Sequence, residues 1–441
     1  MGALESIILE CFDDLDHMKK RTTFRFIAKN FMVDYRQRKE EERERLTQTS
    51  SRGPQYHVVV HLRKPHAYIS QSIGAGGGGD EKEAPGGALT TTAVYYVNTD
   101  EQYTTPASPA TIAHSPSVYD SLEGCDLFSG KWVHDNDSYP LYKEQECPYI
   151  PGEFACGQYG RMDSKYQQWR WQPHACNLPR FDAKQVLEKL RGKRIMFVGD
   201  SVNRNQWVSI VCMLQAVIPP GRKKMHKIQE VKQVQDVSLL TFKAFDYDVS
   251  IDFYWAPLLV ESNADHPTKH KRTDRVVHIH SIEKHAKNWV NADVLVFNSY
   301  LWWGTPTLKI LYDSLEDSTK YNVVTNHRAY KMVLRIWSKW VRTHINHART
   351  QSYFMSMTAT HHKGIDWGMQ DNDNCLNETE PVTKEHFWES GSDLKMMRTL
   401  ELTLKNLKER GVDVKMVNIT QLTQYRKDGH PSIHRCPRYL E

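Results

Sequence analysis

The sequence predicts an α/β fold of three layers, α/β/α, in which helices cover both faces of a central, mostly parallel sheet. Short apolar runs at 194–198 and 294–297 are typical of buried strands. Gly and Asp follow the first run, and a helical pattern begins directly after them, as in a strand–turn–helix unit. Strands that alternate with helices along the chain favour parallel pairing with helices on both sides.

Local signals set the bounds of each element. Asp182 and Gln185 have the spacing of a helix capping box, and Gly192 ends that helix after a short apolar face. The alternation of apolar and polar residues over 241–255 predicts extended chain. The remaining predicted elements are the strand 194–198, helix 202–215, strand 294–297, helix 327–346, strand 352–357, helix 394–410 and strand 412–419.

Composition divides the chain into four segments. Residues 1–50 end in a dense run of mixed charge, and residues 51–121 have the Gly, Ser, Thr and Pro content of a disordered linker. Residues 122–178 hold four of the eight cysteines among Trp, Tyr and Pro, which predicts a small lobe of loops joined by disulfides. Residues 179–441 carry the α/β pattern.

Several classes of protein are disfavoured by composition. A net charge of +5 over 441 residues is too weak to indicate a nucleic-acid partner. No C-x-x-C pair occurs, so no metal site is expected, and no apolar run is long enough to span a membrane. The first 30 residues do not resemble a signal peptide or a signal anchor.

Paired cysteines nevertheless indicate an oxidising compartment. Three glycosylation sequons, at Asn136, Asn377 and Asn418, agree with that compartment. The missing signal conflicts with both observations unless the natural chain begins elsewhere.

The candidate nucleophile is Ser201. Gly199, Asp200 and Ser201 follow the predicted strand directly, and α/β sheets bind ligands beyond the carboxyl ends of their strands. Gly199 allows a tight turn, and the first amides of the helix could stabilise an oxyanion. The competing interpretation is a helix N-cap without catalytic role, since Asp and Ser are both favoured there.

Other candidates surround this motif in the sequence. Asn298 follows a second predicted strand, so its amide is a candidate for the oxyanion hole, or else an ordinary turn residue. Arg204 and Asn205 either support the site from the helix or form its exposed face. The spacing selects no base among four histidines, two of which lie near Asp428: His361, His362, His430 and His434.

Taken together, residues 122–435 resemble the plant trichome-birefringence-like family of polysaccharide O-acetyltransferases. The cysteine-rich lobe resembles the family's N-terminal subdomain through Cys125-Asp126, Gly130-Lys131-Trp132, Gly160-Arg161, Trp169-Arg170-Trp171 and Cys176-Asn177-Leu178-Pro179-Arg180-Phe181. The remainder resembles its esterase-like domain, of the SGNH-hydrolase type, through Val198-Gly199-Asp200-Ser201, Arg204-Asn205-Gln206, Phe297-Asn298, Trp302-Trp303 and Lys427-Asp428-Gly429-His430-Pro431. The segment 361–367 is most similar to the xylan-acetylating branch.

The resemblance implies that Ser201 takes an acetyl group as an ester and passes it to a xylosyl hydroxyl of xylan. It implies an acetyl donor, no bound cofactor, and a place on the lumenal side of the Golgi apparatus; we expect a monomer. It also implies the disulfides Cys125–Cys176 and Cys147–Cys212. The family's base and orienting acid lie in an Asp-x-x-His motif near the C-terminus. This sequence lacks that motif, and neither His430 nor His434 replaces it, so we expect reduced activity.

Three alternatives stay open at this point. An acetylesterase on the same fold is one, because water or a sugar hydroxyl can resolve an acyl-serine. A non-catalytic protein that binds wall polysaccharide through its aromatic side chains is the second. The third is an inactive, truncated product.

Overall fold

The computed structural model describes residues 62–64, 67–69, 124–227, 238–267, 274–312, 320–370 and 375–436. The chain forms two compact units, one of which covers residues 19–114. The described part of that unit is an antiparallel hairpin of β1 (Leu62–Lys64) and β2 (Ala67–Ile69). This hairpin lies within the segment 51–121 that the sequence predicts as a linker, and that prediction stays open. The rest of that segment below residue 124, and the charged segment 1–50, lie outside the described residues.

The second unit contains the elements that position the candidate site. Its strands are β3 (Gly130–His134), β4 (Trp169–Pro173), β5 (Arg194–Gly199), β6 (Lys223–Lys227), β7 (Leu239–Ala244), β8 (Val249–Trp255), β9 (Val276–His278), β10 (Val294–Phe297), β11 (Thr307–Leu311), β12 (Asn322–Thr325), β13 (Gln351–Met355) and β14 (Val414–Val417). Its α-helices are α1 (Ala183–Lys189), α2 (Ser201–Gln215), α3 (Glu283–Ala286), α4 (Asn326–His344), α5 (Leu394–Glu409) and α6 (Thr420–Gln424).

The central sheet is mostly parallel, as the sequence predicts. Over the described residues its order is β14–β13–β10–β5–β8–β7–β6, and the first five of these strands run parallel. The last two strands pair antiparallel. The extended structure predicted over 241–255 is the hairpin β7–β8, which turns at Asp248 with φ +50°. A second small sheet, β12–β11–β9, was not predicted, since its strands are short.

Alternating side chains of β5 divide the core into two halves. Ile195 and Phe197 pack on the face covered by α1 and α2. Met196 and Val198 pack on the opposite face, which α4 and α5 cover. This alternation is required of a strand buried on both faces, and it confirms the predicted α/β/α layers and the SGNH-like fold class. Asp182 caps α1 as expected, accepting hydrogen bonds from the amides of Lys184 and Gln185.

The cysteine-rich lobe is built on the antiparallel pair β3–β4 and contains both disulfides that the resemblance implied. Cys125–Cys176 closes the lobe on itself. Cys147–Cys212 joins the lobe to the interior of α2. The lobe is therefore tied covalently to the helix that begins at Ser201.

The three sequons differ in their surroundings. Asn136 and Asn377 are exposed, so the glycosylation predicted there stays open. Asn418 is half-buried, and its Oδ1 lies 3.4 Å from the hydroxyl of Ser356. Thr420 of the same sequon is fully buried and donates to the carbonyl of Met357. The prediction of a glycan at Asn418 therefore fits the folded chain poorly. Among the described helices, none is long and apolar enough to cross a bilayer.

Candidate active site

Ser201 lies where β5 meets α2, at the carboxyl edge of the sheet. The N-cap of α2 is Asp200, whose carboxylate accepts a hydrogen bond of 2.9 Å from the amide of Val202. Ser201 is the first helical residue and is half-buried. Within the described part of the chain its hydroxyl has no hydrogen-bond partner, so the capping role falls to Asp200 and leaves the Ser201 oxygen uncommitted.

A reciprocal pair of hydrogen bonds fixes the turn before Ser201. The amide nitrogen of Asp200 donates to Oδ1 of Asn298, and Nδ2 of Asn298 donates to Oδ1 of Asp200, each over 3.0 Å. Both side chains are buried. Burial raises the pKa of the Asp200 carboxyl, while its hydrogen bonds with Asn298 and Val202 act in the opposite direction.

This pair joins the carboxyl ends of β5 and β10. The amide predicted for the oxyanion hole is thus partly committed to Asp200. Its Nδ2 still carries a second hydrogen.

Gly199 is required by this close approach of two strand ends. Its φ is +152°, and a Cβ at this position would lie 1.9 Å from Oδ1 of Asn298 and 2.5 Å from its carbonyl oxygen. The glycine therefore accommodates Asn298 as well as the tight turn that the sequence predicts.

Asn203 is a positioning residue that sequence reasoning missed. Its Nδ2 donates to the carbonyl oxygens of Val198 and Val296, both over 2.8 Å. The side chain is fully buried in the first turn of α2. It ties the helix to both strands that flank Ser201. A polar residue on the otherwise apolar face of α2 was the available signal.

The two other predicted supporting residues, Arg204 and Asn205, have different surroundings in the structure. Arg204, one turn after Ser201, forms an ion pair with Glu153 of the cysteine-rich lobe. The Arg204 side chain is 19% exposed and the Glu153 side chain is 12% exposed. Asn205 is exposed on α2, as its alternative interpretation expected. Glu153 was missed because no local pattern links it to a residue 51 positions away.

Loss of Glu153 should cost more stability than loss of an exposed partner. Glu153→Ala leaves the Arg204 guanidinium mostly buried without its carboxylate, which we expect to lower the free energy of unfolding by about 3 kcal/mol. Glu188→Ala is the matched control, because Glu188 pairs with Arg191 on an exposed face of α1. We expect it to cost under about 1 kcal/mol. Urea denaturation measures both, and equal losses would contradict a specific contact between the lobe and α2.

His361 and His430 bind each other rather than Ser201. Nε2 of His361 lies 2.8 Å from the carbonyl oxygen of Gln424, so it carries the proton and donates. Nδ1 of His361 then accepts from Nε2 of His430 over 2.7 Å. Burial lowers the pKa of His361 and lowers that of His430 to about 3, and the nearby basic groups of His362 and Arg435 lower the pKa of His430 further. The pair is neutral and structural.

The other candidate bases are also placed elsewhere. His434 lies 3.3 Å through Nδ1 from the carbonyl of Tyr159. His362 is exposed. Asp428 is buried, and both of its oxygens accept from the guanidinium of Arg426 over 2.9 Å. Over residues 124–436, excluding the undescribed gaps, no hydrogen bond joins Ser201 to any of the four histidines.

The neutral histidine pair predicts a pH dependence of stability. A histidine in the unfolded chain titrates near 6.5. Because His430 stays neutral in the fold, the unfolded chain binds more protons below that pH. The free energy of unfolding should therefore fall as pH falls from about 6.5 toward 3, by about 1 kcal/mol per pH unit from His430.

His430→Gln tests this assignment, since the glutamine amide can still donate to His361 but does not titrate. We expect the variant to have a lower free energy of unfolding than the wild type near neutral pH. This difference in free energy should narrow as the pH is lowered to about 5, because only the wild type loses stability through His430. Urea denaturation across this range measures the gap. A gap that stays constant with pH would show that His430 does not bind protons on unfolding.

A cavity of about 410 Å³ opens beside the loop that follows Asn298. Ser201 is not among its lining residues, which come from the segments after β10 and β13 and from the starts of α4 and α5: Tyr300, Leu301, Trp303, Gly304, Asn326, Thr360, His362, Lys363, Asp366, Gly391, Asp393 and Met396. The lining mixes aromatic, basic and acidic groups. Among the described residues, no group of three His, Cys, Asp or Glu side chains could hold a metal ion.

Two known protein families match this chain. Residues 178–439 match the GDSL/SGNH-like acyl-esterase family found in Pmr5 and Cas1p, and residues 123–177 match the PMR5 N-terminal domain. A relative from Arabidopsis thaliana, Protein trichome birefringence-like 34, is 51% identical over 318 residues, which are 72% of this chain and 76% of the relative. Xylan O-acetyltransferase 14 from Oryza sativa subsp. japonica is 44% identical over 355 residues, 76% of this chain and 73% of the relative.

These matches cover the cysteine-rich lobe, the strand–turn–helix around Ser201 and the loop after Asn298. The chain therefore belongs to the trichome-birefringence-like proteins of the GDSL/SGNH-like acyl-esterase family.

Proposed function

We propose that this protein is a polysaccharide O-acetyltransferase that transfers acetyl groups to xylosyl hydroxyls of xylan through an acetyl ester of Ser201. The observation that carries the proposal is the uncommitted, half-buried hydroxyl of Ser201 at the carboxyl end of β5. The names of relatives such as Xylan O-acetyltransferase 14 support the substrate. A protein with this substrate would act where xylan is made, and we propose the lumen of the Golgi apparatus.

The reaction has two displacements. In the first, Oγ of Ser201 bonds to the carbonyl carbon of the acetyl donor, the donor's leaving group departs, and the Ser201 proton passes to a base. In the second, a xylosyl hydroxyl oxygen bonds to the same carbon, the ester bond to Oγ breaks, and a proton returns to Oγ. We assign the base to none of the four histidines, since His361 and His430 are committed to each other.

Each displacement passes through an oxyanion. The backbone amide of Ser201 is a proposed donor, because the first amides of a helix have no partner within it. The amide of Val202 is committed to Asp200 and is not a donor. The second hydrogen on Nδ2 of Asn298 is the other proposed donor, with the side chain held in place by Asp200.

Donor-dependent acetylation of a xylo-oligosaccharide tests the proposed function against an esterase. Product masses with 4-nitrophenyl acetate as donor should show acetylated oligosaccharide, and the same protein should release little acetate from acetylated xylan. Release of acetate without transfer would favour the esterase. A protein that binds xylan but neither transfers acetyl groups nor releases acetate would favour the binding protein.

A further inference from the structure

We infer that Arg275 forms an anion-binding site beside the loop that follows Asn298 and takes a carboxylate or phosphate group of one of the two reactants. The inference begins with the surroundings of the guanidinium. Its Nε and Nη1 are buried and have no hydrogen-bond partner among the residues that the structure describes. The side chain as a whole is only partly buried, but a buried guanidinium nitrogen without a hydrogen-bond partner is costly.

No protein carboxylate neutralises Arg275 in the described part of the chain. The adjacent acid, Asp274, is bound instead to Nζ of Lys309 over 2.7 Å. Burial alone lowers the pKa of Arg275, with no contribution from a nearby charge of either sign. The guanidinium is therefore a partly buried cation without a counter-ion among the described residues.

The position of Arg275 links it to Ser201. The guanidinium carbon lies 4.5 Å from the ring centroid of Trp302, which belongs to the loop after Asn298. Trp302 packs edge-on against Trp255, with 5.5 Å between ring centroids. Trp255 is the register partner of Gly199 across β5 and β8. A chain of contacts thus links Arg275 through two tryptophans to the turn before Ser201.

The main chain holds Arg275 in this place. Its carbonyl oxygen accepts from the amide of Lys309 in β11, and Trp302 supports the guanidinium face. A planar cation stacked on an aromatic ring keeps its edge free for oxyanions, and its fork fits two oxygens of a carboxylate or phosphate. Either the acceptor, through an acidic sugar, or the acyl donor, through a phosphate, could supply that group.

The inference rests on the proposed function for the identity of the reactants, but its test does not need turnover. Inorganic phosphate and glucuronate are titrated separately into the full chain at constant ionic strength, set with sodium chloride. We expect one of them to raise the melting temperature by about 2–4 °C at saturation. A shift with glucuronate alone would assign the group to the acceptor, and a shift with phosphate alone to the donor.

Arg275→Met should remove this shift, since Met keeps the apolar contact with Trp302 but offers no donor. Arg222→Met is the matched control and should keep it, because Arg222 is an exposed arginine already paired with Asp246. Arg275→Lys retains the charge but lacks the paired donors of the guanidinium, so the anion should raise its melting temperature less than that of the wild type. This variant replaces Arg275→Met in the test if the Met variant does not fold. No shift with either anion, or an equal shift in the Arg275 variants, would overturn the inference whether or not the protein transfers acetyl groups.

Discussion

Replacement of Gly199 by alanine is expected to lower the free energy of unfolding by more than about 4 kcal/mol. The new Cβ would lie 1.9 Å from Oδ1 of Asn298, far inside van der Waals contact. Relief of that clash requires Asn298 to move, which breaks its two hydrogen bonds with Asp200. The turn that presents Ser201 would then lose its attachment to β10.

Gly192→Ala is the matched control for Gly199→Ala. Gly192 also has a positive φ, +70°, but a Cβ there would meet open space. That variant isolates the strain of the backbone conformation, which we expect to cost about 1–2 kcal/mol. Urea denaturation of both variants measures the difference. Equal costs would show that the contact between Gly199 and Asn298 does not hold the turn.

Replacement of Ser201 by alanine is expected to abolish acetyl transfer while leaving the fold intact. In hydrolases with an intact Ser-His-Asp triad, loss of the serine lowers the rate by about 10⁴-fold or more. Because no described histidine contacts Ser201, we expect a smaller loss in this chain, down to the rate measured without protein. Stability should change little, because the Ser201 hydroxyl has no hydrogen-bond partner in the described structure and alanine is a good helix former.

Initial rates of acetyl transfer and melting temperatures of the wild type and Ser201→Ala, measured side by side, test this expectation. A variant that melts as the wild type does and transfers no acetyl group would assign the loss to chemistry. A variant that still transfers acetyl groups at the wild-type rate would exclude Ser201 as nucleophile.

Local patterns predicted the elements around the site well. Strand 294–297 and the start of the helix after Asp200 were found because buried strands and capping residues leave signals within a few positions. The extended structure predicted over 241–255 is present as two strands, and the turn between them at Asp248 was not predicted because it lacks Gly or Pro. Resemblance to a family, rather than spacing, supplied the two disulfides.

Contacts between distant residues were not predictable in this way. The bonds of Asp200 to Asn298 span 98 positions, and those of His361 to His430 span 69. No repeat or spacing in the sequence connects such pairs, because the sheet order that brings them together is set by the whole core. This is why the sequence could not separate Asp200 from Ser201 as the helix cap and selected no base among the four histidines.

The most direct test of the central claim is the mass of the protein after brief incubation with 4-nitrophenyl acetate, followed by peptide mapping. We expect one acetyl group, on the peptide that contains Ser201, and none on that peptide in Ser201→Ala. Addition of xylo-oligosaccharide should then remove the group from the protein and place it on the sugar. An unmodified Ser201 peptide under conditions in which the oligosaccharide becomes acetylated would contradict the account.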